Sequence, residues 1–301
     1  MKYKCSICGK KAVERLKQYR LNLCESCFVN FYERQVERLV KKYRVVEKGE
    51  RVLACVSGGK DSSAMLAVLK KLSEKMRFEL EAFYIDLEIN EFSENSNRTV
   101  KELCKTLEVE LNEVKLSDYE IDLKKAGKKR CSACGTAKRY ITNKFAREND
   151  FDCISTGHCS DDIIVFFFKN WISGNFEWST KFLPRVEGFD KIVTRIKPLY
   201  LMSERENAIY CICKKLSFTS ERCPYAPKDD WKEIIYEIER KKPGFRRNFV
   251  ANIPKYISSS EKGEYRYCKI CGEITTGEIC AFCRLKINLN LKNKLKMSKK
   301  E

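Results

Sequence analysis

Three groups of residues in this chain have types and spacings that could do chemistry. The most compact is Ser57-Gly58-Gly59-Lys60-Asp61-Ser62, which follows the apolar run Arg51–Ser57 and precedes the helical pattern Asp61–Leu72. Two glycines allow unusual dihedrals and let backbone N–H groups approach a ligand closely. The start of the following helix adds free N–H groups and a positive dipole end. Lys60 brings a charge for phosphate, and Ser57 and Ser62 bring hydroxyl donors. The spacing is not that of the Walker loop, which has four residues between its first glycine and Gly-Lys. The bland reading is a glycine turn with a serine cap. The full six residues between a strand and a helix point instead to a phosphate cradle.

The second group is built on sulfur. Cys131-Ser132-Ala133-Cys134-Gly135 opens a predicted helix after the basic run Lys124–Arg130, and Cys223 lies far downstream in Glu221-Arg222-Cys223-Pro224-Tyr225. Thiols at a helix start beside Lys and Arg are expected to have depressed pKa values. Three thiolates could hold an iron–sulfur cluster with one iron open, or form a redox pair with a persulfide carrier. Three unrelated core cysteines are the plain alternative. Lys138 lies one helical turn beyond Cys134 and by spacing alone reads as a solvated surface lysine. The third group, Thr156-Gly157-His158-Cys159-Ser160-Asp161-Asp162, follows another strand and contains the one histidine of the chain. Its paired acids suit a helix N-terminal cap, which acids favour.

Cysteines also bracket the chain. Cys5-x-x-Cys8 and Cys24-x-x-Cys27 have zinc-ribbon spacing, and Cys268-x-x-Cys271 with Cys280-x-x-Cys283 makes a more compact set. Four thiolates close a tetrahedron, so both metals would be structural zinc. Cys55, Cys104, Cys153, Cys211 and Cys213 read as core or neutral.

The elements that must position these groups alternate. Helical spacing runs over Asn30–Val46. Strands are predicted at Arg51–Ser57, Phe78–Leu87, Glu110–Leu116 and Phe151–Gly157. Helices are predicted at Asp61–Leu72 and Thr99–Val109, from Cys134 onward, and from Asp162 to Ile172. Four strand–helix alternations predict an α/β fold: a parallel sheet with helices on both faces, here flanked by two small zinc modules. In such sheets ligands bind outside the carboxyl ends of the strands. The expected division is a zinc ribbon at 1–30, a linking helix at 31–48, a catalytic domain at 49–250, and a second zinc module with a basic tail at 251–301. The tail from Leu285 reads as a partly disordered arm. Phe245, Arg246, Arg247 and Phe249 could face RNA, or could be a solvated helix end.

Sixty Lys and Arg against 42 Asp and Glu give a formal charge of +18, which attracts polyanions and favours a nucleic-acid partner. The absence of a long apolar span argues against a membrane partner. A polar N-terminus and 17 cysteines point to a reducing cytoplasm, where metal or catalytic roles outweigh disulfides.

The glycine loop after an apolar strand resembles the pyrophosphate loop of the N-type ATP pyrophosphatases, which split ATP between its α and β phosphates and leave AMP on a substrate oxygen. The Cys-Ser-x-Cys-Gly helix, the Gly-His-x-x-Asp-Asp stretch and the Cys223-Pro-Tyr-Ala226 tetrad narrow this to the tRNA 2-thiolation enzymes. The resemblance is closest to the archaeal and bacterial thiouridine synthetases with zinc modules at both ends. It covers nearly the whole chain, with the motifs in family order. It implies that Ala54, Ser57–Ser62, Ile85 and Gly157 bind ATP, with Asp61 and Asp162 near Mg2+ or the reacting centre. It implies that Cys131, Cys134 and Cys223 hold a 4Fe-4S cluster by three ligands, and that Lys138 reaches the phosphates or the adenylated uridine. Two Zn2+, a homodimer, a tRNA substrate and a sulfur donor (sulfide or a ubiquitin-like thiocarboxylate protein) also follow from it. The family usually has Asn where Cys159 stands.

The expected reaction is adenylation of a uridine C2 oxygen, followed by sulfur insertion to give 2-thiouridine at the T-loop or wobble position. A related pyrophosphatase acting on another acceptor or without iron, and a non-enzymatic RNA-binding zinc protein, are the rival readings.

Overall fold

The computed structural model describes residues 3–175, 181–227, 230–257 and 265–297. An antiparallel ribbon comes first: β1 (Glu14–Leu16) pairs with β2 (Leu21–Leu23). Cys24 then caps α1 (Glu25–Lys42), whose Phe28, Tyr32, Val36, Leu39 and Val40 recur at three and four and are all buried. The helix starts earlier than Asn30, the expected position, because the ribbon ends at Leu23 and the chain turns directly at a cysteine of the first module.

The alternation then runs as β3 (Arg51–Val56), α2 (Lys60–Met76), β4 (Glu79–Asp86), α3 (Asn90–Leu107), β5 (Glu110–Lys115), α4 (Arg130–Glu148), β6 (Cys153–Ser155) and α5 (Ser160–Ile172). After it come β7 (Arg185–Val186), β8 (Thr194–Ile196), α6 (Glu204–Lys214), α7 (Trp231–Lys241) and α8 (Phe245–Tyr256). The chain closes with β9 (Arg266–Tyr267), β10 (Ile274–Thr275) and α9 (Ala281–Met297). The main sheet has the order β5-β4-β3-β6-β8-β7, parallel except for β7. The β7–β8 edge was not foreseen, since two- and three-residue strands carry no readable alternation. The tail from Leu285 is helical through Met297 rather than irregular. Residues 298–301 lie outside the described residues. Helix α3 also begins well before Thr99, the expected start, and buries Ser93 and Ser96 in its amino-terminal half.

Period-two alternation on β3 sorts two cores onto opposite faces of the sheet. Val52, Ala54 and Val56 pack with α1, α2 and the first cysteine module. Leu53, Phe83 and Ile154 pack with Ala133, Ala137 and Ile141 of α4 and with the second cysteine module. From central β3 the chain runs outward through β4 and β5, then returns to β6 on the other side. The switch point is the crevice at the carboxyl ends of β3 and β6, where ligands bind in this class of sheet.

Candidate active site at the carboxyl end of the sheet

The glycine loop and the start of α2 lie in that crevice. Gly58 has φ +79°, and a Cβ there would meet the Ser96 carbonyl oxygen of α3 at 3.1 Å. The Ser62 hydroxyl donates to the Gly59 carbonyl (2.9 Å) and accepts from the Ser57 N–H (3.1 Å), so the loop is held by its own side chains. Gly157 follows β6 and packs against the same turn: a Cβ would lie 3.0 Å from the Ser62 nitrogen and 3.1 Å from the Asp61 carbonyl carbon. Only glycine lets this strand end approach the loop so closely. The Ala54 methyl is buried on the α2 face of β3, whereas Ile85 is buried near the end of β4 on the α4 face.

Charges of both signs gather here. The Lys60 ammonium contacts Asp61 (3.1 Å) and Glu204 (3.3 Å), and Lys232 contacts Asp162 (2.7 Å) and Glu204. Burial opposes the Lys60 charge, but the two carboxylates more than offset it and hold its pKa up. Burial raises the Asp61 carboxyl, partly countered by Lys60 and by the Asn207 amide, which donates to it at 2.8 Å. Burial also pushes Asp162 up, yet Lys232 and His158 leave it below the ordinary carboxylate range. His158 is lowered by burial against the opposing pull of Asp162, and its Nδ1 lies 2.8 Å from the Thr156 hydroxyl.

The paired acids of α5 divide their tasks. Asp161 is 5% exposed; it accepts from Arg246 (2.6 Å) and from the Glu204 N–H (3.0 Å), tying α5 to α8 and to the start of α6. Asp162 instead faces Lys232, while its other oxygen accepts from the Cys159 N–H (3.1 Å) in a capping box. Capping and site chemistry thus coexist, and Cys159 is the cap. Arg246 is an internal tie to Asp161 and not an RNA-facing residue. Arg247 bonds Tyr19 and Gln35; Phe249 packs on Phe167 and Phe168, and Phe245 packs on Phe249, both rings lining an apolar cavity between α5 and α8.

The sulfur group lies on the other face, on α4. Cys131 is exposed, and Cys134 and Cys223 are partly buried together. The Arg130 guanidinium stacks over Tyr225 at 4.8 Å, which joins the segment bearing Cys223 to the start of α4. Cys134 feels both other thiols, but burial raises its pKa despite Lys138 and Arg139. The expectation of a depressed thiol is wrong there because desolvation outweighs the neighbouring cations. The structure places Cys131 and Cys223 near enough to act on Cys134, and three thiols are the donors a soft iron–sulfur centre takes.

At each end, four thiol sulfurs lie within 4.8 Å of one another: Cys5, Cys8, Cys24 and Cys27, and Cys268, Cys271, Cys280 and Cys283. Both sets fit closed tetrahedral zinc. Burial pushes Cys5 and Cys268 up, but backbone N–H groups more than offset it and hold both near 6. The carboxylates of Asp61, Asp162 and Glu204 offer hard oxygens of the kind magnesium takes.

Each module braces one face. From the first, Glu14 pairs with Arg205 of α6 (2.9 Å); on α1, the Tyr32 hydroxyl donates to Asn207 (2.7 Å), whose amide donates to Asp61. From the second, Phe282 stacks on Tyr140 of α4 at 3.8 Å, and Glu273 takes Arg147 of α4 in a two-bond pair (2.7 and 2.5 Å). Sequence reasoning missed Glu204, Asn207 and Lys232. The Ser203-x-x-Glu206 capping box, present in the structure, would have placed the start of α6 and hence Glu204.

Residues 30–224 match the family description "PP-loop domain", and residues 4–29 match "2-thiouridine synthetase TtuA, N-terminal LIM domain". The chain is 37% identical to the tRNA-5-methyluridine(54) 2-sulfurtransferase of Pyrococcus horikoshii, covering 96% of each. It is 33% identical to the protein of that name from Thermus thermophilus, over 93% of this chain and 90% of the other. Among solved structures it resembles the U34-tRNA thiolase NcsA from Methanococcus maripaludis with its [4Fe-4S] cluster, with a TM-score of 0.78, 26% identity, and coverage of 96% and 97%. No helix among the described residues is long and apolar enough to cross a membrane. The chain belongs to the PP-loop family of tRNA 2-thiouridine synthetases.

Proposed function

We propose that this protein is an ATP-dependent tRNA-uridine 2-sulfurtransferase working in the cytoplasm, and that its target is the uridine of the T-loop, position 54. The observation that carries the reading is the Gly157 backbone seated on Asp61 and Ser62, which brings Asp162 to the phosphate loop. The preference for position 54 rests on the higher identity to relatives named for that position than to the U34 thiolase.

In this reading Ser57–Ser62 hold the ATP phosphates through backbone N–H groups, the serine hydroxyls and Lys60, with Ala54 and Ile85 on the nucleoside side. Asp61, Asp162 and Glu204 would hold Mg2+, which neutralises charge on the phosphates. The target base leaves its stack to reach the crevice. Its C2 oxygen attacks the α phosphorus and pyrophosphate departs. A sulfur nucleophile, supplied as sulfide or by a ubiquitin-like thiocarboxylate protein, then forms the C2–S bond as the C2–O bond to AMP breaks. Adenylation turns a poor leaving oxygen into a good one. Lys138 stands beside Cys134 to balance negative charge on the adenylated base. Cys131, Cys134 and Cys223 would hold a 4Fe-4S cluster, which when bound supplies an open coordination position for sulfur.

The test is an anaerobic assay with ATP, Mg2+, sulfide and unmodified tRNA, followed by nuclease digestion and mass spectrometry. The reading expects 2-thiouridine at position 54 that requires ATP. Thiolation at position 34 would move the target. Pyrophosphate release with some other acceptor, and no thiouridine, would overturn the substrate.

A further inference from the structure

Beside the carboxylates read as magnesium ligands, the crevice holds a sulfur. Cys159 caps α5, and its thiol is fully buried. The Cys159 sulfur, an Asp162 oxygen and a Glu204 oxygen all lie within 4.8 Å of one another. The sulfur is 3.4 Å from Oδ2 of Asp162. Sulfur and oxygen ligands of one tetrahedral ion stand roughly 3.5 Å apart, given bonds of about 2.3 and 2.0 Å. The three donors come from the cap and first turn of α5 and from the first residue of α6. Asp161 locks the two helix starts together by accepting the Glu204 N–H at 3.0 Å.

A cation already stands at this cluster. The Lys232 ammonium touches Asp162 at 2.7 Å and also touches Glu204, so both carboxylates converge on one positive charge. The Lys232 side chain is 45% exposed, which gives the ammonium a way out to solvent and an incoming ion a way in. Magnesium takes oxygen ligands and has little use for sulfur. A thiolate with two carboxylates suits zinc or cobalt(II), and three protein donors leave a fourth position open. We propose that Cys159, Asp162 and Glu204 form a binding site for a thiophilic divalent cation, which displaces the Lys232 ammonium and competes with Mg2+ and ATP for the crevice. Binding releases the Cys159 thiol proton to solvent, and Lys232 keeps its own. The competition rests on the magnesium assignment proposed above, whereas the cation site does not.

The probe is Co2+, titrated under anaerobic conditions into the full-length enzyme with zinc in both cysteine modules. Thiolate ligation gives cobalt a near-ultraviolet charge-transfer band, read as a difference spectrum. Wild type should bind about one cobalt per chain more than Cys159→Asn, and the band of that ion should be missing from the variant. Asn is a favoured helix cap, so this variant should melt as wild type does without cobalt. Glu204→Gln should weaken cobalt binding by at least about tenfold, the least that even a partner of a metal ligand is worth. Lys232→Ala should tighten it about tenfold, because the displaced charge is gone. Equal cobalt uptake and equal bands in wild type and Cys159→Asn would overturn the site. So would a Cys159-dependent band that neither Glu204→Gln nor Lys232→Ala alters, since the thiol would then bind without the carboxylates. Mg2+ with ATP should weaken cobalt binding. Cobalt affinity unchanged by them would overturn the competition, and with it the magnesium assignment, and leave the cation site standing.

Discussion

The two faces of the sheet present the catalytic crevice with opposite electrostatics. On the α2 face, Lys60, Lys232 and Arg246 are interleaved with Asp61, Asp161, Asp162 and Glu204, so the nucleotide half is close to balanced before ATP and magnesium arrive. On the α4 face, Lys138 and Arg139 act on Cys134 and Arg195 acts on Cys55, and none of these three cations has an acid partner among the described residues. Metal-bound triphosphate needs both cations and carboxylates, because magnesium must be held as well as phosphate. A thiolate centre and an RNA backbone need only cations. Each cysteine module is tied to one of these halves: the first leads into α1, whose Tyr32 reaches Asp61 through Asn207, and the second grips α4 through Tyr140 and Arg147. The difference teaches that the modules are struts for two half-sites and not mere terminal decorations.

Breaking one half at its tightest contact should have the largest effect. Gly157→Ala puts a methyl 3.0 Å from the Ser62 nitrogen, so backbone must move at the phosphate loop. Pyrophosphate release should fall about 10²-fold, the usual cost of misplacing reacting groups by an ångström. Absorbance of the iron–sulfur centre should stay unchanged. A loss of that absorbance would mean the halves are not separable. Removing one strut sharpens the same comparison. Cys280→Ser should halve the zinc content and bleach the iron–sulfur absorbance while ATP still binds. Cys24→Ser should halve the zinc and weaken ATP binding while the absorbance persists. Equal loss of both properties in both variants would remove the distinction between struts.

A smaller effect is expected from Lys232→Ala. Asp162 is held below the ordinary carboxylate range chiefly by Lys232 acting against burial. A depressed carboxyl adds stability above its unfolded pKa, about 3.9, and that stability is lost as pH falls through the lower folded value. The variant should therefore be less stable than wild type near neutrality, and the two melting curves should converge in acid. Tyr140→Leu should cost least: about 0.5–1.5 kcal/mol for the lost ring stack with Phe282, read as a lower melting temperature with ATP binding intact.

Much of this arrangement was legible in the chain. The strand–loop–helix around Ser57–Ser62, the parallel alternation and both cysteine modules follow from local spacing, because loop glycines, apolar periods and Cys-x-x-Cys pairs are contiguous signals. The balancing charges were not legible. Glu204, Asn207 and Lys232 come from helices distant in sequence and meet Asp61 and Asp162 only through packing. The same limit explains Arg246: in sequence it belongs to a basic run, and in the fold it is pinned to Asp161. It also explains Cys134, whose neighbours suggest a low thiol pKa while its burial beneath the α4 face raises it.

The central claim is that adenylation belongs to one half and sulfur transfer to the other. The most direct test follows pyrophosphate release and 2-thiouridine formation together, with unmodified tRNA under anaerobic conditions, in wild type, Asp162→Ala and Cys223→Ala. The account predicts that Asp162→Ala loses both products, and that Cys223→Ala still releases pyrophosphate in a tRNA-dependent burst but forms no thiouridine. Thiouridine from Cys223→Ala, or pyrophosphate release abolished equally in both variants, would contradict it.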